Sequence, residues 1–194
     1  LGAEVFVSVQ DPLVPLLENA FAGVVVLPSQ RAPARLDFHI PLLSMPLAFK
    51  TQATDIPANI PYLRADPVRR AKWRDRLSSV SGFRIAICWQ GNVDGPGAKR
   101  SFPISAFAEI ANLPHVRLIS LCKGEANSQV SALDGAFTVE VFDDMDPPEA
   151  AFLDSAAIMA ECDLVITADT STAHLAGALG VPTWLLLKCY PDWR

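Results

Sequence analysis

Several common signatures are missing from this chain. No stretch approaches the ~18 consecutive apolar residues that a membrane-crossing helix requires, although 51% of the 194 residues are hydrophobic. No Gly-x-Gly-x-x-Gly follows a strand-like run and no Gly-x-x-x-x-Gly-Lys-Ser/Thr occurs, which weighs against dinucleotide oxidoreductases and P-loop nucleotidases. The three histidines are scattered, and the four cysteines (Cys88, Cys122, Cys162, Cys189) have no Cys-x-x-Cys spacing. Both patterns disfavour a metal site. Cysteines in or beside apolar runs read instead as reduced core thiols of a cytoplasmic protein. Positive charge is scarce too, with 16 Lys and Arg against 21 Asp and Glu. The one basic cluster, "DPVRRAKWRDRLSS", interleaves Arg69, Arg70, Lys72, Arg74 and Arg76 with Asp66, Asp75 and apolar positions. That is the texture of a solvated helix face rather than a nucleic-acid site. The chain starts at Leu1 with no signal peptide and ends at "CYPDWR", so it reads as cut from something longer at both ends.

What is present is an alternation of short apolar runs and helix-like segments. "AEVFVSV" (3–9) and "GVVVLP" read as strands around a short helix opened by Asp11 and Pro12. Between 28 and 67 stand Pro28, Pro33, Pro41, Pro46, Pro57, Pro61 and Pro67. Proline removes amide donors and fixes φ, so long regular elements are excluded there. The apolar content is still too high for a disordered linker, which predicts a packed, irregular connection between two domains. A helix over 67–79 follows. Then "FRIAICW", "VRLISL", "FTVEVF", "DLVITA" and "PTWLLL" alternate with "PISAFAEIANL", "GEANSQVSALDG", "PPEAAFLDSAAIMAEC" and "STAHLAGALG". Five strands separated by helices predict an α/β fold with a Rossmann-like parallel sheet covered by helices on both faces. Residues 66–194 would form that domain, and 1–65 the end of a second, similar one plus the connection.

In an open parallel sheet, ligands collect outside the carboxyl ends of the strands. The loops expected there are polar or glycine-rich: "QGNVDGPGAKRSFP" with Gly91, Asn92, Lys99 and Arg100; "CKGE" with Lys123 and Glu125; "DDMD"; and Asp169-Thr170-Ser171-Thr172. The opposite-edge connections "NLPH", "LDGA" and "ALGVP" are plain turns. The helix opening near Ser171 offers first-turn amides and a dipole suited to phosphate. Thr170, Ser171 and Thr172 can add hydroxyl donors, His174 falls on the first turn, and Asp169 can accept from hydroxyls. Equally, Thr170 or Ser171 can simply cap the helix with His174 packed. Arg100 suits a second phosphate or a surface pair, and Glu125 a ribose diol or a helix dipole. Asp143, Asp144 and Asp146 read as a solvated loop rather than a metal site.

The segments "DFHIPLLSMPLAFKT", "IPYLRAD", "RIAICWQGN", "RSFPISAF", "LISLCKGE" and "FLDSAAIMAECDLVITADTSTAHLAGALGVPTWLLL" together resemble the glycosyltransferase domain that follows tetratricopeptide repeats in many bacterial proteins. That domain is related to the lipopolysaccharide heptosyltransferases and distantly to the O-linked N-acetylglucosamine transferases. The resemblance implies a GT-B fold of two facing Rossmann-like domains, a nucleotide-sugar donor held by the second, and no metal or cofactor. It implies donor contacts from Asp169 to His174, at Arg100 and at Glu125; Gly91, Asn92 and Lys123, in the loops of the same edge, are expected to join them. His39 would either face the inter-domain cleft as a weak catalytic candidate or pack as a polar histidine, and the main catalytic acid would fall before Leu1. The acceptor would be a protein or a saccharide, with the repeats elsewhere in the parent chain. The segment "VDGPGAK" lacks the His and Asn-Asp residues usual in the family, and Lys188 stands where proline is common. Two other classes compete: a non-catalytic nucleotide-sugar-binding or interaction domain, and a nucleotide-sugar epimerase with acid and base in one cleft.

Overall fold

Two parallel sheets organise the chain in a computed structural model that describes residues 2–18, 20–31, 33, 35–79, 81–91 and 100–189. The first sheet pairs β1 (Val5–Val9) with β2 (Val24–Pro28), joined through a 3-10 turn (Asp11–Leu13) and helix α1 (Val14–Leu17). The second contains β3 (Phe83–Cys88), β4 (Val116–Ser120), β5 (Val139–Glu140), β6 (Leu164–Ala168) and β7 (Thr183–Leu186). Its order is β5-β4-β3-β6-β7 and every neighbouring pair is parallel. The five expected strands therefore share one sheet. β3 and β6 are central, and Ile85 to Cys88 and Leu164 to Ala168 are buried throughout. That explains why both read as unbroken apolar runs rather than alternating ones.

The strand order reverses beside β3. From β3 the chain steps to β4 and β5 through α4 (Ala108–Ala111) and α5 (Glu125–Ser131). It then returns through α6 (Leu153–Met159) to lay β6 on the other side of β3, and α7 (Ser171–Leu179) leads on to β7. Right-handed crossovers in opposite directions place α4 and α5 on one face and α6 and α7 on the other. A short α2 (Met45–Ala48) in the proline-rich stretch and the longer α3 (Pro67–Leu77) ahead of β3 complete the helices. α3 is capped by Asp66, whose carboxylate accepts the Arg69 amide at 2.7 Å, with Pro67 in its first turn.

The basic cluster belongs to α3, and its arginines are engaged with carboxylates of the same chain. Arg70 and Arg74 both reach Glu161, at 2.6 and 2.9 Å, Arg69 reaches Asp154 at 3.0 Å, and Arg76 reaches Asp144 at 2.8 Å. On the inner side Trp73 and Leu77 are wholly buried. The amides of Tyr62 and Leu63 both donate to the Ala178 carbonyl at 3.0 Å, tying the incoming segment to the end of α7.

Two expectations are corrected. The acidic run does not form a simple solvated loop: Asp146 is 4% exposed and its carboxylate accepts the amides of Asp154 and Ser155 at 2.6 and 3.2 Å. It thus satisfies the first-turn donors of α6, which begins at Leu153 rather than at the prolines before it. The proline-rich stretch is irregular as expected and Leu63 at its end packs into the core, but its middle is not covered. Phe38 is 93% exposed, and Leu43, Leu47 and Phe49 lie at 82%, 83% and 73%.

Gly82 sets the start of β3. Its φ is +146°, and a Cβ there would lie 2.6 Å from the His115 carbonyl oxygen, which also accepts the Phe83 amide at 2.7 Å. Gly82→Ala is expected to destabilise by about 1–3 kcal/mol, a fall in Tm of roughly 2–12 °C for a chain of this size. A melting curve unchanged by the substitution would contradict the tight approach of His115.

Candidate functional site

The point where strand order reverses, between β3 and β6, opens at their carboxyl ends into a cleft of about 350 Å³. One wall is the loop after β3, with Gln90 and Gly91; another is the end of β4, with Cys122 and Lys123. Glu125 at the start of α5, and Thr170, Ser171 and Thr172 at the start of α7, complete it. Six of the residues expected to hold a donor, Gly91, Lys123, Glu125, Thr170, Ser171 and Thr172, therefore line one cleft.

Thr170 is the N-cap residue of α7, with extended backbone (φ −137°, ψ 177°) and no side-chain capping bond. Its carbonyl accepts the Ala173 amide at 3.0 Å, while its Oγ1 is buried with no hydrogen-bond partner of ordinary geometry. The hydroxyl is thus not spent on capping, which removes one of the two roles open to it from sequence. Gly91 lies directly against it: a Cβ at Gly91 would come within 2.9 Å of the Thr170 Cγ2. Only a residue without a side chain lets the β3 loop approach α7 so closely. Asp169 and Arg100 sit together beside this point. Arg100 Nη1 donates to the Asp169 carbonyl at 3.1 Å, and its Nε stands 3.9 Å from the Asp169 carboxylate. His174 is exposed on α7, neither packed nor among the cleft-lining residues.

On the opposite wall, Lys123 Nζ donates to the Asp146 carbonyl, which fixes its ammonium at the rim. Glu125 is exposed on the same side. The Gln129 amide donates to the Gln90 side-chain oxygen at 2.5 Å, linking α5 to the β3 loop.

The floor is made by two residues that sequence reading assigned only to the core. Cys88 ends β3 and Cys122 follows β4; the Cys122 thiol donates to the Cys88 sulfur at 3.8 Å. That contact, opposed by burial and assisted by the hydroxyls of Thr172, Thr170 and Thr167, lowers the Cys88 thiol to about 6. The same contact, with burial, raises Cys122. Their positions at strand ends, immediately before two of the polar loops, were the available signal.

Two expected residues fall elsewhere. His39 is exposed and lines a separate groove beside β1 and β2, with Phe38, Ile40 and Leu42. Asn92 lies outside the described residues. Among the described residues no group of three or more His, Cys, Asp or Glu is arranged to hold a metal ion, and no helix is long and apolar enough to cross a membrane.

The five-stranded parallel sheet gives the chain an α/β fold that matches that of GT-B heptosyltransferases. It is similar to E. coli ADP-heptose lipopolysaccharide heptosyltransferase II, with a TM-score of 0.53 and 18% identity over 70% of this chain and 42% of that one. E. coli heptosyltransferase WaaC, solved with ADP-2-deoxy-2-fluoro heptose, aligns with a TM-score of 0.48 and 18% identity over 64% of this chain and 38% of that one. Among curated proteins, Protein FlbA of Caulobacter vibrioides is 26% identical over 206 residues, which cover 96% of this chain and 35% of FlbA. The chain thus spans about a third of that relative. No protein-family profile matches it.

Proposed function

We propose that this chain is the donor-binding part of a glycosyltransferase, moving a sugar from a nucleotide-sugar to a hydroxyl of a protein or saccharide acceptor. The observation that carries this reading is Thr170, whose buried hydroxyl does not cap its helix and has no hydrogen-bond partner of ordinary geometry, at the N-terminus of a helix opening into the switch-point cleft. First-turn amides and the positive end of the α7 dipole favour a diphosphate there. In this reading Thr170 and Thr172 donate hydroxyl hydrogens to it, Arg100 supplies positive charge, and Glu125 across the cleft accepts from a ribose diol. Asp169 accepts from sugar hydroxyls, with Ser171 and His174 at the outer edge.

As the bond to the sugar breaks, negative charge grows on the departing nucleotide. Fixed donors aimed at that charge stabilise the transition state more than the ground state. No metal or cofactor takes part, and the nucleotide-sugar is a substrate. The likeness to heptosyltransferase II, an ADP-heptose enzyme by its name, supports a donor of this kind. The proton of the acceptor hydroxyl passes to a base elsewhere in a longer parent protein, where tetratricopeptide repeats would present the acceptor in the cytoplasm. The position of His39 in a different groove favours a second reading, a module that binds a nucleotide-sugar without transferring it.

A thermal-shift series with UDP-, ADP-, GDP- and CMP-sugars tests the donor site. A ligand at a hundred times its Kd stabilises by about 2.7 kcal/mol, so the cognate donor should raise Tm by roughly 5–10 °C. No shift with any of the four classes refutes both readings. A shift without sugar transfer by the complete parent protein selects the second.

A further inference from the structure

We infer that Cys88 and Cys122 form a dithiol modification site in the floor of the cleft, closed to a disulfide by a two-electron oxidant of the hydroperoxide class. The two thiols are 34 residues apart in sequence yet their sulfurs stand 3.8 Å apart, because β3 and β4 are neighbours and both end at the cleft. Each residue is nearly buried, at 4% and 3% exposed, but both line the cleft, through which a small oxidant reaches them. The Gln90 carbonyl lies near both, 3.5 Å from the Cys88 sulfur and 3.9 Å from that of Cys122, which holds the pair side by side. Closing the bond takes the sulfurs from 3.8 Å to about 2.0 Å.

The two thiols have different parts. Cys88 receives the hydrogen of Cys122 and is flanked by hydroxyls from the first turn of α7, so its anion is the favoured one and it attacks first. Its thiolate displaces hydroxide from the terminal oxygen of hydrogen peroxide. The O–O bond breaks, an S–O bond forms, and Cys88 becomes a sulfenic acid. The Cys122 sulfur then attacks the Cys88 sulfur and expels hydroxide, and the Cys122 proton goes to water. The net change is two thiols and one peroxide giving one disulfide and two waters. Cys162 differs in kind: burial pushes its thiol up to about 12. The inference holds whether or not the cleft takes a nucleotide.

The test treats the folded chain, carrying Cys189→Ser to remove the exposed thiol, with a small excess of hydrogen peroxide, then digests it with trypsin without reduction. The expected product is one cross-link between the peptides 85–99 and 118–123, two hydrogens lighter than their sum and reversed by a dithiol reductant. Cys122→Ser should stop at a Cys88 sulfenic acid that a cyclic 1,3-dione captures. Cys88→Ser should leave Cys122 unmodified. In the untreated chain, iodoacetamide should label Cys88 at pH 7 at least roughly tenfold faster than Cys162. A folded chain that forms no 88–122 link, keeping both thiols free to alkylate after unfolding, overturns the inference even if the serine variants fail to fold. So does a dominant link through Cys162.

Discussion

Alanine at Arg100 is expected to weaken nucleoside-diphosphate binding about ten- to a hundredfold, the loss of a charged contact worth about 1.5–3 kcal/mol. Beside the cleft the guanidinium donates to the Asp169 carbonyl at 3.1 Å; the carboxylate, at 3.9 Å, steers it more than it binds it. Both side chains are partly shielded, at 25% and 16% exposed, so the charge is less screened than that of a surface residue. Arg100→Lys should recover part of the loss, since it keeps the charge but not the planar fork that matches phosphate oxygens. Asp169→Ala separates two roles. It leaves the backbone contact to Arg100 intact and removes the acceptor for sugar hydroxyls, so the nucleotide-sugar should lose more affinity than the free nucleoside diphosphate. Isothermal titration with both ligands, at two salt concentrations, reads each effect. Equal affinity in wild type, Arg100→Ala and Asp169→Ala would show that α7 opens into solvent for structural reasons only.

Much of this site is visible in the sequence because it rests on short-range regularities. The buried runs "AICW", "LISL" and "LVITA" mark strands covered on both faces, and covered parallel strands must all deliver their following loops to one edge. That is enough to bring Gly91, Lys123, Glu125 and Thr170 to Thr172 to one cleft. What stays hidden depends on contacts between distant segments. Cys88 and Cys122 look like ordinary core thiols until β3 and β4 are seen to be neighbours and the chain beyond β4, which ends at Ser120, brings the Cys122 sulfur to that of Cys88. Asp146 looks like one acid in a charged loop until its positive φ of 48° turns its carboxylate onto α6. The exposure of Phe38, Leu43 and Leu47 is illegible for the opposite reason. Composition records that a residue is apolar, but only the fold records whether anything covers it.

The largest loss of stability is expected at Asp154, which is 2% exposed and holds α3, the acidic loop and α6 in one network. Its Oδ1 accepts from Trp73 Nε1 at 2.7 Å and Arg69 Nη1 at 3.0 Å, and its Oδ2 accepts the Asp146 amide at 3.0 Å. Asp154→Ala strands a wholly buried indole N–H and a buried amide, and leaves the Arg69 guanidinium without its carboxylate. Breaking a buried charged network from one side costs about 3–5 kcal/mol, so Tm should fall by roughly 6–20 °C. Asn should fall between the two, because its amide nitrogen meets one of the same donors and cannot accept from it. Burial raises the Asp154 carboxyl, but the bonds from Trp73, the Asp146 amide and Arg69 outweigh it and leave it below the usual range. A carboxyl depressed in the folded state stabilises fully above its unfolded value of about 3.9, and that stability is lost as pH falls through the folded value. Urea midpoints measured from about pH 6 down to pH 3 should therefore drop less steeply in Asp154→Ala than in the wild type. Parallel pH profiles, or a Tm for the alanine variant within about 2 °C of wild type, would mean that the three elements are held together by Trp73 and Leu77 packing alone.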